Sequence, residues 1–407
     1  MGLGLTMYFP VGKKTSKKFY EKYFSELPSV IPSWSTSCFF DETGFRIKLV
    51  PFEEDVYGEW EDGKLCISAK TNSAGPGYHA YLVDVLDKLG VAPIEVEDET
   101  GYYESRNFAA LQDEMAGWLK GLSEQILEMY VNDDYANLAV SLSIDWFPEG
   151  DGHFACCPLG YFEKDFFERA KNGEDVAPEF FIWWNQSQDA VFFRNTAMYM
   201  IWCENNWLPP QTDTEHEIIA ATLDCLDKAY TLNPNLDYPA AEWIELAALS
   251  ENKSLLKTLR LRYKEIKKPC IGYNHGLISR GINGWRVTCS GKMHSDTEDD
   301  GTLVWWDDDR TIRVSAFSVR FKEEITNKSE HLLASATENE TGCQPFSLRN
   351  PEIAACIQHG QIEENGEPLL QTRLTAALDN ELIIISLFYV DKNDSKWATE
   401  VCASVAR

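Results

Sequence analysis

The sequence predicts an α+β chain: an N-terminal mixed α/β unit, then a helical segment, then a C-terminal antiparallel α/β sandwich. Three observations carry this. Apolar residues alternate, as in strands, within the first 160 residues and again after 285. Between 160 and 268 they recur at helical spacing, with Pro and Asn at the breaks. The chain has 407 residues, and single cores rarely grow past ~250–300. The expected division is an acidic α/β-plus-helical domain over 1–268, with a sub-boundary near 160. A linker over 269–284 and a sandwich domain over 285–407 complete it.

The elements follow in order. Leu3, Leu5, Met7 and Phe9 alternate as a first strand. A short helix follows, with Lys13, Lys14, Lys17, Lys18 and Lys22 around Phe19, Tyr20, Tyr23 and Phe24. Its basic face reads as solvated, with a phosphate- or partner-binding patch as the second reading. Residues 36–50 and 63–70 read as strands, and His79 to Leu89 as a helix after Gly75-Pro76-Gly77. Residues 108–130 form a longer helix through Leu111, Met115, Leu119 and Ile126. Strands return at 137–146 and 153–157. Four helices are expected at 190–207, 213–232, 239–249 and 254–267. Leu232-Asn233-Pro234 ends a helix in the manner of a tetratricopeptide repeat, but no second copy follows at that period.

After the Gly-rich stretch 269–284 the pattern becomes strand-like: 285–289, then a hairpin of 302–306 and 311–321 around Asp307-Asp308-Asp309. A helix at 329–336, strands at 353–362, 369–378 and 382–390, and a closing helix at 396–405 complete the tail. The segments "GWRVTCSG", "GTLVWWDDDRTIRVSAFSV" and "LFYVDKNDSKWATEVCASV", with Trp397 in the last helix, stand in the order of the PsbP-like α/β sandwich family. About 281–407 resembles that family. The resemblance implies an antiparallel sheet covered by two helices, in a fold whose members are mostly binding or assembly factors.

The charge is local. Residues 51–250 hold 38 Asp and Glu against 10 Lys and Arg, a balance of −28, while the flanks hold 27 of each sign. Such a surface attracts basic partners and repels nucleic acid and anionic lipid. Basic faces occur only on short segments at 13–22 and 253–268. Eleven Cys without regular spacing read as small apolar fillers and point to a reducing, cytoplasmic setting. No apolar run reaches the length of a membrane span, and the N-terminus has no secretory signature.

Four groups of residues are candidates for chemistry. Thr71–His79 joins a strand to a helix N-terminus, and Asn72, Gly75, Gly77, Tyr78 and His79 are candidate ligand-binding residues. The competing reading is a tight turn in which Gly77 supplies a positive φ. Asp151, His153, Cys156 and Cys157 form a second cluster, read as a nucleophile, a partial zinc site or two buried thiols beside a turn. The acidic runs Glu95–Glu99, Asp296–Asp300 and Asp307–Asp309 lack a calcium-loop pattern and read as solvated turns. Trp183-Trp184 and Trp305-Trp306 each place one ring on each face of an extended segment, making Trp184, Trp305 and Trp306 candidate interface residues. No metal site or cofactor is expected, and the oligomeric state is open.

These observations support a cytoplasmic binding protein, similar in character to immunity proteins, whose acidic surface recognises a basic protein. Neither nucleic acid nor membrane is an expected partner. The alternative is a hydrolase or transferase with its site near Asn72–His79 and His153.

Overall fold

The computed structural model describes residues 2–131, 138–141, 146–149, 155–265, 272–321, 325–338, 340–364 and 367–407. They form two compact units. The first comprises Met1–Ser141, Asp151–Asn205 and Pro209–Gly272; the second comprises Leu142–Gly150, Asn206–Leu208 and Tyr273–Arg407. The fold is α+β, with an N-terminal sheet, a helical middle and a C-terminal sheet.

The first unit begins with β1 (Gly4–Pro10), α1 (Lys17–Ser25), β2 (Ser37–Phe40), β3 (Gly44–Lys48), β4 (Val56–Glu61), β5 (Lys64–Lys70), α2 (Pro76–Asp87), β6 (Glu95–Asp98), α3 (Tyr102–Ser105) and α4 (Phe108–Val131). Its six-stranded sheet has the order β2-β3-β4-β5-β1-β6, antiparallel throughout. The pleat sends Leu5, Met7 and Phe9 of β1 and Leu65 and Ile67 of β5 to one face, where all are buried. Tyr20 and Phe24 of α1 pack on that face against Phe9, Phe45 and Trp60. Sequence reading did not find β4. Its acidic string Val-Tyr-Gly-Glu-Trp-Glu hides an inward Val56 and Gly58, and Gly58 is required because a Cβ there would lie 2.1 Å from the Phe45 ring.

Next come β7 (Leu138–Ala139), β8 (Trp146–Glu149), β9 (Ala155–Cys157), β10 (Gly160–Phe162), α5 (Lys164–Lys171), α6 (Ala177–Phe180), α7 (Ala190–Tyr199, continued by a π turn Met200–Glu204), α8 (Asp213–Leu232), α9 (Ala240–Leu249) and α10 (Lys253–Arg262). Helix α8 starts where Thr212 and Glu215 cap each other: the Thr212 hydroxyl accepts the Glu215 N–H at 3.2 Å, and the Glu215 carboxylate accepts the Thr212 N–H at 3.2 Å. It buries Ile218, Ile219, Thr222, Leu226 and Ala229, the helical stripe visible in the sequence. Helix α10 buries Leu259 and leaves Leu255 and Leu256 half-exposed.

The second unit holds β8, then β11 (Leu277–Ile282), β12 (Trp285–Ser290), β13 (His294–Thr297), β14 (Leu303–Trp306), β15 (Arg310–Ser318), α11 (Lys328–Thr337), β16 (Gln344–Pro345), β17 (Ala354–Glu364), β18 (Glu367–Leu378), β19 (Glu381–Tyr389) and α12 (Ser395–Ala403). Part of the expected linker 269–284 is β11, paired with β12 on one side and β8 on the other. The seven-stranded sheet has the order β13-β14-β15-β19-β18-β17-β16. Ala398, Val401 and Cys402 of α12 pack on one face with Ile312, Leu374, Ile383 and Ile385. Leu332 of α11 packs with Ala377, Leu382 and Ile384, which point the other way along the same strands. Cys343 and Cys356 form a disulfide, so these two thiols are not the apolar fillers the sequence suggests. Among the described residues, no helix is long and apolar enough to cross a membrane.

Candidate functional site

The Thr71–His79 turn leaves β5 and enters α2. Its first link is to β1: the Thr71 N–H donates to the Leu3 carbonyl at 3.0 Å, and the Asn72 side-chain oxygen accepts the Leu3 N–H at 3.2 Å. The amides of Ser73 and Ala74 then donate to one oxygen of Glu53, at 3.1 and 2.7 Å. The group that fills this turn is the protein's own Glu53 carboxyl. Glu53 is 4 % exposed, and burial pushes its pKa up to about 7 against the lowering effect of the Ala74, Glu54 and Ser73 amides. No sequence motif announces Glu53 among 65 acidic residues.

The glycines serve packing and turn geometry. Gly75, at φ +108°, carries the positive φ that the sequence reading gave to Gly77. Gly77 is needed for close approach, since a Cβ there would lie 2.0 Å from Trp183 Cδ1. Gly77 N–H donates to the Trp183 carbonyl, and Trp183 N–H donates to the Ala74 carbonyl, both at 2.9 Å. Tyr78 and His79 are fully buried. His79 Nδ1 lies 2.9 Å from the Thr71 hydroxyl, and Nε2 lies 3.2 Å from the Thr100 hydroxyl and 3.3 Å from Asp98 Oδ1. Burial works to raise the Asp98 pKa, but His79, the Tyr103 N–H and the Thr100 hydroxyl outweigh it and hold the carboxyl below its ordinary range. Of the candidate ligand-binding residues Asn72, Gly75, Gly77, Tyr78 and His79, the Asn72 side-chain oxygen, the Gly77 N–H and both His79 ring nitrogens have partners inside the protein, while the Tyr78 hydroxyl is buried and makes no hydrogen bond among the described residues.

Asp151 and His153 lie outside the described residues. Cys156 and Cys157 are buried in β9, and burial pushes the Cys156 thiol up to about 12 and Cys157 well above its ordinary value. Neither supplies a thiolate near neutral pH. Among the described residues, no group of three His, Cys, Asp or Glu is placed to hold a metal ion. Trp305 is 2 % exposed and belongs to the core of its unit, which corrects its reading as an interface residue. Trp306 is half-buried beside His294, at 5.4 Å between ring centroids. Trp184 is half-buried and stacked on Phe181 at 5.7 Å, outside any strand. Glu95–Asp98 of the first acidic run form an edge strand rather than a turn, while Asp307 accepts the amides of Asp309 and Arg310 and closes the β14–β15 hairpin.

The open face of the six-stranded sheet is the surface these corrections leave in view. Cross-strand pairing sets two rows on it. One runs Phe39, Arg46, Tyr57, Ser68, Thr6, Glu97; the other runs Glu59, Cys66, Tyr8, Glu95. Glu61 opposite Lys64 extends the second row. Phe39 is 54 % and Tyr57 48 % exposed, and Glu59, Glu61, Glu95 and Glu97 are all exposed. The carboxylates converge on the centre. Burial raises the Cys66 pKa first, and Glu61, Glu59 and Glu97 raise it further. Arg46 lies over the Phe39 ring at 5.1 Å and Lys64 over Tyr8 at 5.6 Å, so these rings already accept cations from within the chain.

No family model matches this chain. No curated protein matches it either. Among solved structures, one from Bacteroides thetaiotaomicron VPI-5482 is similar over 30% of this chain and 44% of its own length, at 12% identity and a TM-score of 0.26. The present chain thus spans less than half of that protein. Cyanobacterial PsbP (CyanoP) from Synechocystis sp. PCC 6803 is similar over 32% of this chain and 91% of its own, at 10% identity and a TM-score of 0.18. Likenesses at these scores carry no argument about fold or function.

Proposed function

We propose that this chain is a binding protein whose acidic first unit captures a basic protein through the open face of its six-stranded sheet. The observation that carries the reading is the set Glu59, Glu61, Glu95 and Glu97 ringing Tyr8 and Cys66 on an exposed sheet face. Clustered carboxylates speed encounter with a Lys- and Arg-rich surface, and the exposed Tyr57 ring offers a cation contact at short range. The role resembles that of an immunity protein, which neutralises a basic toxin. A cytoplasmic location and a PsbP-like sandwich in the second unit belong to the same proposal. The latter is supported by its element order and by α11 and α12 lying on opposite sheet faces.

The test is an affinity column of the intact chain, loaded with lysate of its host at low salt and eluted with rising salt. A stoichiometric basic protein that elutes early and is lost from a Glu59→Gln, Glu61→Gln, Glu97→Gln column supports the reading. Retention that ignores both salt and the substitutions contradicts it.

A further inference from the structure

The helical half of the first unit contains a cavity of about 640 Å³, within the range of small-molecule sites. Its wall is built from α7, the end of α8, the start of α9 and the end of α10. Two guanidinium groups line it, Arg194 and Arg262, and among the described residues neither is in an ion pair with a carboxylate. Arg194 is half-buried, and burial lowers its pKa against the opposing effect of Tyr238, Asp237 and Asp189. Its Nε and Nη2 both donate to Asn195 Oδ1, at 3.1 and 2.8 Å. Asn195 is buried and donates in turn to the Phe181 and Ile182 carbonyls at 3.3 and 3.4 Å, which fixes its amide and so aims the guanidinium. A neutral amide orients the charge without balancing it.

The Arg262 guanidinium lies over an aromatic wall, its Cζ 3.6 Å from the Tyr230 ring centroid and 5.3 Å from that of Trp243. Its Nη1 is buried and makes no hydrogen bond among the described residues. Tyr238 also lines the cavity, with its ring 5.8 Å from Trp243 and 5.6 Å from Tyr230. Four acidic residues line the cavity: Glu179 pairs with Arg169 at 3.2 Å, Asp237 and Glu265 are exposed at its edge, and Glu242 is buried in its wall but, among the described residues, makes no ion pair with either arginine. That edge disfavours a polyanion.

We propose that this cavity binds a small molecule made of a flat ring and a single carboxylate. The carboxylate would complete the charge of the Arg194 and Arg262 guanidinium forks, and the ring would lie against Tyr230 and Tyr238. The test is calorimetric titration of the full chain with 4-hydroxyphenylacetate and indole-3-acetate, each beside its neutral amide. The expected result is binding of at least one acid and a loss of about tenfold or more for its amide, as expected when charge-assisted hydrogen bonds are removed. Arg262→Lys, which keeps the charge and loses the planar fork, is expected to weaken the same acid by about tenfold. No heat with either acid at millimolar concentration, or equal binding of acid and amide to the unaltered chain, overturns the proposal without depending on how any variant folds.

Discussion

Glu53 accepts the backbone N–H of Ala74 at 2.7 Å, across 21 residues of chain. One buried carboxylate thus holds the turn that leads from β5 into α2. Its folded pKa of about 7 lies above its ordinary 4.5, so the folded state binds this proton more tightly than the unfolded state. The stabilisation is complete below 4.5 and is lost as pH rises towards 7. Glu53→Gln is neutral throughout that window and is predicted to flatten the fall in stability between pH 4.5 and 7. Urea unfolding midpoints at pH 5 and pH 7.5 for both proteins measure it. Glu53→Ala loses the cap altogether, at a cost of about 1–3 kcal/mol.

Asp98 carries the opposite sign. Its folded pKa lies below the ordinary 3.8, so its contribution is complete above that value and is lost as pH falls through the acid range. Asp98→Asn is predicted to lower stability at pH 7 and to reduce the further loss between pH 4 and pH 2. Acid titration of unfolding by circular dichroism gives both numbers.

Two glycine substitutions should move stability in opposite directions. Gly77→Ala drives a Cβ to within 2.0 Å of Trp183 and 2.4 Å of the Asn185 carbonyl, and is predicted to cost about 1–3 kcal/mol. Gly117→Ala lies within α4 with nothing within 4 Å of the added carbon, and is predicted to stabilise by about 0.5–1 kcal/mol. Thermal unfolding of the pair reads the contrast directly.

Thiol labelling tests the burial of the Cys156-Cys157 pair. Among the described cysteines, iodoacetamide at pH 8 is predicted to modify half-exposed Cys38 and Cys66 first and to leave Cys156 and Cys157 unmodified until the protein unfolds. Rapid native labelling of Cys156 would restore a reactive thiol to β9.

Elements with a strong local period were legible in the sequence. The 213–232 stripe matches α8 to the residue, and the 353–390 alternation gives β17, β18 and β19. Elements whose partners lie far along the chain were not. Strand β11 looks like a Gly-bounded linker because its pairing with β8 joins residues more than a hundred positions apart. The turn at 71–79 was visible as Gly-Pro-Gly punctuation, but its meaning depended on Glu53 and Asp98, which only the folded chain brings to it. The acidic face was half legible: alternation puts Glu95 and Glu97 on one side, while their neighbours Tyr8 and Glu59 are set by register across three strands.

The most direct test of the acidic-face account compares two triple variants that remove the same charge from different places. Glu59→Gln, Glu61→Gln, Glu97→Gln neutralises the sheet face; Glu163→Gln, Asp165→Asn, Glu168→Gln neutralises exposed carboxylates at and on α5. Affinity for the salt-eluted basic partner is measured for both by titration at low and physiological salt. The account predicts a loss of tenfold or more (about 1.4 kcal/mol) for the sheet-face variant and near-unaltered binding for the α5 variant. Equal losses in both would mean that net charge, not this face, does the binding.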